Sequence, residues 1–175
     1  MSENIINDVA HFLTFELDKE VYGFGVNKVQ SVLDFEHVTR VPRTPPFMRG
    51  VINLRGRIVP IIDLRIKFGL TETVKTRESC IIIVNIKIGD EETILGVLVD
   101  SVREVISLEL SQIKAAPRIG THLKTEFIKG VANYQNQLII ILEMEKLFST
   151  DELLTVQGAR ERASEEEEGE LVAGG

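Results

Sequence analysis

The feature that most limits how this chain can fold is an internal repeat. Gly23, Val26, Val29 and Val32 share their spacing with Gly96, Val99, Val102 and Val105. Further on, Phe47-Met48-Arg49-Gly50-Val51-Ile52-Asn53 matches Phe127-Ile128-Lys129-Gly130-Val131-Ala132-Asn133. The same register carries Ile58 onto Leu138, Asp63 onto Glu143, Leu64 onto Met144 and Phe68 onto Phe148. A Gly-Val-x-Asn block, an apolar strand and a closing acid-plus-Phe kept in step predict two related halves, residues 11–78 and 79–157, meeting near Thr76 to Cys80. A β unit of that size has a marginal core alone, so the halves are expected to stabilise each other across a shared interface, with a groove along it.

Strand signals dominate each half. Phe12 to Leu17 reads as a strand followed by a turn at Asp18-Lys19-Glu20, and Ile81 to Ile88 as another followed by a turn at Gly89-Asp90-Glu91-Glu92. Arg57 to Leu64 and Gln137 to Leu142 are further β-rich runs, with Pro60 predicting an edge or a bulge in the first. Lys67-Phe68 closes a short helix ending at Gly69, and Ser149-Thr150-Asp151-Glu152 has the form of a capping box opening a helix through about Ala159. Beyond it, residues 158–175 hold six Glu against two Arg, a net of -4 that leaves only about -3 of the chain's -7 for the rest, and the segment reads as a flexible acidic tail.

Catalytic chemistry is hard to find in this pattern. His11, His37 and His122 are scattered with no partner at metal-ligand spacing. Cys80 is the only cysteine, which excludes a disulfide framework, suits a reducing cytoplasm and reads as a packed thiol opening an apolar strand. Gly50 to Gly56 lacks the Gly-Lys-Ser/Thr of a phosphate loop, and Asp63 and Asp100 at strand ends are expected to satisfy turn amides rather than form a catalytic pair. Apolar runs such as Cys80 to Val84 and Leu138 to Leu142 are too short to span a bilayer, and Met1-Ser2-Glu3-Asn4 offers no basic lead into an apolar segment. The chain is expected to be no enzyme and to need no cofactor or metal.

One continuous motif is more specific: Val41-Pro42-Arg43-Thr44-Pro45-Pro46-Phe47-Met48-Arg49-Gly50-Val51-Ile52-Asn53-Leu54-Arg55-Gly56-Arg57-Ile58-Val59-Pro60-Ile61-Ile62-Asp63-Leu64-Arg65. Its prolines fix an extended approach, and Val51 to Leu64 reads as a hairpin turning at Arg55-Gly56, where the second half has Gln135-Asn136. This segment resembles the signature of the CheW family, and Gly96 through Leu108 resembles that family's second conserved region; the likeness covers residues 11–157 and leaves out the tail. The resemblance implies an all-β fold of two intertwined, small, five-stranded antiparallel barrels. It implies a non-catalytic chemotaxis adaptor, cytoplasmic and associated with receptor arrays at the inner membrane. The partners implied are the signalling tips of methyl-accepting chemoreceptors and the CheW-like domain of the histidine kinase CheA.

Carried over position by position, the family's receptor groove falls on Val29, Val32, Arg55, Gly96, Val102 and Val105. Its kinase-facing surface falls on Phe35, Val38 and Val41, with a second kinase contact at Lys114, Pro117, Arg118 and Ile119. Arg118-Ile119 depart from the acid-then-aromatic pair that some members carry there. The four valines are read either as core or as groove lining, because apolar spacing alone fits both. Arg55 is more telling: its counterpart is Gln135, so the fold does not require a charge there, and the guanidinium is free to meet a carboxylate. The basic run from Arg40 to Lys67 leaves an alternative, a small-barrel nucleic-acid-binding module, weakened because Phe47 and Phe68 recur in the repeat as core residues do.

Overall fold

The computed structural model describes residues 8–88, 90–115 and 127–173. Ten strands form two five-stranded sheets: β1 (Val9–Leu17), β2 (Glu20–Gly25), β3 (Val29–Asp34), β4 (Met48–Leu54), β5 (Arg57–Asp63), β6 (Cys80–Ile88), β7 (Glu91–Val99), β8 (Ser101–Glu109), β9 (Ile128–Tyr134) and β10 (Gln137–Leu142). One sheet runs β8-β1-β2-β10-β9 and the other β3-β6-β7-β5-β4. Superimposing the halves as the repeat dictates turns one order into the other, with β1 and β2 exchanged for β6 and β7. Each sheet therefore takes strands from both halves, and the intertwining is a swap of the leading hairpin. Antiparallel pairing holds except for one parallel pair per sheet, β2 with β10 and β5 with β7, where the halves interlock.

The register of the two sheets matches residue for residue. Gly23 lies opposite Ile141 and Gly96 opposite Ile61. A bulge leaves Arg49 unpaired between Met48 and Gly50 of β4, and the equivalent bulge leaves Lys129 unpaired between Ile128 and Gly130 of β9. The Asp63 amide bonds the Phe47 carbonyl, as the Glu143 amide bonds that of Phe127. Both later hairpins turn through positive φ: Arg55 at 53° and Gly56 at 85°, Gln135 at 51° and Asn136 at 64°. That is the twist a two-residue turn needs to match the strands it joins.

Pro60 sits inside a sheet, not at its margin, yet it leaves no ladder bond empty. Val51 opposite it spends its own amide and carbonyl on Thr39, so Pro60 faces β4 in a non-hydrogen-bonded pair. Pairing with β7 begins only at Ile61, so at Pro60 the strand is locally an edge.

The largest core cluster joins both halves, and its rings interlock reciprocally. Phe47 meets Phe148 at 6.0 Å between centroids, and Phe68 meets Phe127 at 6.4 Å. Each half's entering Phe thus packs on the other half's closing Phe.

Among the described residues, two α-helices complete the fold. The four residues of α1 (Leu64–Lys67) are capped by the Asp63 carboxylate on the Arg65 amide and followed by Gly69 at φ 79°. The longer α2 (Thr150–Ala173) opens on the expected capping box, the Glu152 amide on Ser149 Oγ and the Ser149 amide on Glu152 Oε1. Leu153, Val156 and Ala159 bury its inner face in the main core. Its extent corrects the expectation of an end near Ala159: the helix takes in the segment read as a flexible tail and continues to Ala173. Glu, Arg and Ala in that stretch are all good helix formers.

Candidate functional site

β3 and β8 are repeat equivalents, and the structure brings them to one surface. The Cys80 thiol donates to the Glu78 carbonyl at 3.2 Å, Glu78 lines one cleft with Ser101 and Val102 of β8, and Cys80 is the ladder partner of Asp34 at the end of β3. The start of β8 therefore lies by the end of β3. The symmetric junction joins the end of β8 to β1, where Ser107 meets His11 Nδ1 at 2.8 Å.

Burial decides what each expected residue does. Val29 and Val102 are half-buried against the main core, whereas Val32 and Val105 are 42% and 54% exposed. Two valines left in water at equivalent positions of a duplicated fold form a repeated apolar feature on the surface between the sheets. Gly96 is different: it is buried, and a Cβ there would stand 2.4 Å from Ile61 Cδ1 and 2.8 Å from Ile81 Cγ2. It lets β5 and β6 close on β7 and presents no surface of its own.

Arg55 is exposed at its hairpin tip, with the turn held by the Gly56 amide on Asn53 Oδ1 at 2.9 Å. The second hairpin shows where such a tip lies, since Gln137 at its base accepts a bond from Arg103 of β8 at 2.9 Å. The equivalent positions in the first half are Arg57 and Gln30, the same residue types exchanged. A cleft beside the second tip is lined by Glu16, Glu78, Ser101, Val102, Arg103 and Glu104.

Of the residues expected to face a kinase, Phe35 is 7% exposed and packs with Val59, Ile61, Ile81, Ile83 and Leu98, under the Arg49 guanidinium 5.4 Å from its ring. Val41 is buried in the main core. Val38 is half-buried beside the Phe35 cluster and so is the member of that trio with side-chain surface to offer. Lys114 is exposed while its backbone pairs with Val131. Pro117, Arg118 and Ile119 lie outside the described residues.

The acids at the strand ends bind turns, as their positions suggest. Asp63 is buried and accepts the Thr73 amide and hydroxyl, each at 2.8 Å, with the Arg49 guanidinium 3.3 Å away. Asp100 accepts the Asp18 amide at 2.9 Å and the Arg65 guanidinium at 2.8 Å. Burial, more than any neighbouring charge, pushes the Cys80 thiol up from its ordinary value, which suits a packed thiol rather than a nucleophile. Phe47 and Phe68 are buried, so the basic run carries no aromatic platform for bases.

Sequence reasoning missed Lys67. Its repeat counterpart is Leu147, yet its ammonium pairs with Glu152 and lies 5.0 Å from the Phe47 ring, 5.4 Å from Phe148 and 5.7 Å from Phe127. A charged residue opposite a leucine just before the repeated Phe was the available signal, set among the further mismatches of Arg65 with Glu145 and Ile66 with Lys146.

The CheW-like domain family's sequence model matches residues 11–152. Among curated proteins, the chemotaxis protein CheW of Klebsiella aerogenes is 39% identical over 145 residues, 83% of this chain and 85% of that one. The CheW of Treponema pallidum is 31% identical, covering 85% and 88%. The crystal structure of the scaffolding protein TtCheW from Thermoanaerobacter tengcongensis superposes with a TM-score of 0.71 at 36% identity, covering 82% of this chain and 90% of that one.

Proposed function

The chain belongs to the CheW family, and on that premise we propose that it is a chemotaxis adaptor joining two partners without chemistry of its own. One partner is the cytoplasmic signalling tip of a methyl-accepting chemoreceptor, a helical hairpin, which lies along the surface of β3 and β8. The other is the CheW-like regulatory domain of the histidine kinase CheA, which docks by the loop carrying Val38 and by the Lys114 region. The observation that carries this reading is the pair Val32 and Val105, exposed apolar residues repeated by the duplication where a core has no use for them. Such an adaptor acts in the cytoplasm beside the membrane that holds the receptors. Among the described residues, no helix is long and apolar enough to cross that membrane.

The test is to titrate the protein separately with a receptor signalling-tip fragment and with the kinase's regulatory domain. Arg55→Gln copies the second half's own tip, so folding is unchanged while receptor affinity falls several-fold, an effect on the order of 1 kcal/mol. Its kinase affinity stays at the wild-type level. Val38→Asp does the reverse, because a charge in a small desolvated contact is costly. Loss of both affinities in either folded variant, or of neither, is the result that defeats the assignment of faces.

A further inference from the structure

A surface built by duplication has an ambiguity built into it. If β3 and β8 are related by a two-fold operation, an apolar helix lying on Val29, Val32, Val102 and Val105 fits equally well in either direction. Only residues that break the repeat can tell the helix which way to lie.

The charges do break it. At the Val102 end stand Glu16, Glu104 and Glu78 in one cleft with Arg103, and Asp34 beside Cys80. Their register equivalents at the Val29 end are Asn85, Ser31, Val9, Gln30 and Ser107, all uncharged. The hairpin tips differ in the opposite sense: Gln135 and Gln137 at the Val102 end correspond to Arg55 and Arg57 at the other. With Arg77 beside Glu78, four acids against two Arg make the Val102 end net negative by two, and with Asp8, the register equivalent of Arg77, the two arginines at the other end leave it net positive by one. Glu36 and Glu109 occupy equivalent positions and cancel, and Lys28 is already paired with Glu145 at 2.6 Å. The valines are thus symmetric while the charge flanking them is polar along the surface.

We propose that this charge gradient reads the direction of the bound helix. A helix seats with its N-terminus, or a basic side chain, at the Val102 end and with acidic side chains at the Arg55 end. The inference rests on the receptor reading above and deepens it: the valines supply attachment and the broken symmetry supplies polarity. The helix dipole and side-chain charges act in the same sense. Several exposed contacts of modest individual worth add to a preference of about tenfold for one direction.

The experiment places a nitroxide at Gln135→Cys, at the acidic end, or at Ser107→Cys, at the basic end, each in a Cys80→Ser background. The probe is an isotope-labelled receptor signalling-tip fragment. Broadening from the two labels should fall on opposite ends of the fragment's contacting helix. In the charge-reversed variant Arg55→Glu, Arg57→Glu, Glu78→Lys, Glu104→Lys the pattern should invert or spread over both ends. Raising the salt to about 1 M around the wild type, where the Debye length is about 3 Å, should relax the tenfold preference toward evenness without any mutation. A one-way pattern that survives both reversal and salt overturns the inference and leaves the receptor reading standing. A fragment that does not bind the wild type at all overturns the two together.

Discussion

Lys67 stands where the second half has the fully buried Leu147, and the exchange puts a cation among three rings that belong to both halves. Leucine is therefore a side chain this architecture accepts at that place. Replacing both partners of a shielded ion pair by uncharged groups is often neutral or stabilising, so the double variant Lys67→Leu, Glu152→Gln should unfold in urea within about 1 kcal/mol of wild type, or above it. A loss of more than about 3 kcal/mol would instead make the cation–ring contacts indispensable. Glu152, the partner on α2, supplies a pH signature. Burial would raise its carboxyl, but the Lys67 hydrogen bond and charge together with the Ser149 groups outweigh that and hold it below its ordinary value. A carboxyl depressed in the folded state adds stability above its unfolded value of about 4.3, and the contribution disappears as the pH falls through the lower folded value. The melting temperatures of wild type and Glu152→Gln should therefore differ at pH 7 and converge in acid. A difference that persists unchanged below pH 3 would show that the ionised carboxylate is not what α2 loses.

Edges are where the elements of this fold need protection, and both sheets use the same device. Thr39 bridges to Val51 along β4, and Lys114 bridges to Val131 along β9. Each crossing needs a glycine beneath it. A Cβ at Gly50 would stand 2.2 Å from the Thr39 carbonyl oxygen, and one at Gly130 would stand 2.6 Å from that of Lys114. Gly50 also has φ 150°, so Gly50→Ala adds backbone strain to a clash and should cost about 3 kcal/mol or more in urea unfolding. A cost under 1 kcal/mol would mean that the covering segment simply lifts away. The Gly-Val-x-Asn block announced the duplication, but its physical reason, a strand crossing over the glycine, has no local signature. The same division runs through the rest of the fold. Hairpin turns were readable because Arg55-Gly56 and Gln135-Asn136 carry their conformation in their residue types. The insertion of β10 beside β2 was not, since a parallel contact between distant halves leaves no pattern in either. At the candidate site the spacing of the valines was legible but their exposure was not. An apolar side chain such as Phe35 or Val41 reads the same whether it fills a core or awaits a partner.

At the scale of the whole molecule, neither half of the repeat is a folding unit. Residues 8–79 contain β1 to β5, but β1 and β2 belong to one sheet and β3 to β5 to the other. Cutting there leaves both sheets open, with fresh edges and half a core. Fragments 1–79 and 80–175 should each lack the amide dispersion and cooperative melt of the intact protein, and mixing them should restore both. Should either fragment fold alone, the swap would be a detail of connectivity and not a condition of stability. The swapped hairpin also sets a timetable for synthesis. A ribosome delivers the chain from its N-terminus, and the sheet of β3 to β7 has all its strands once Val99 has left the exit tunnel. The β1–β2 hairpin, made before every other strand, must wait for Leu142 before its sheet has all of its strands. Phe12, Phe15, Tyr22 and Phe24, all in that hairpin and all buried in the finished protein, are therefore the aromatic rings a nascent-chain chaperone would meet first and have to shield longest.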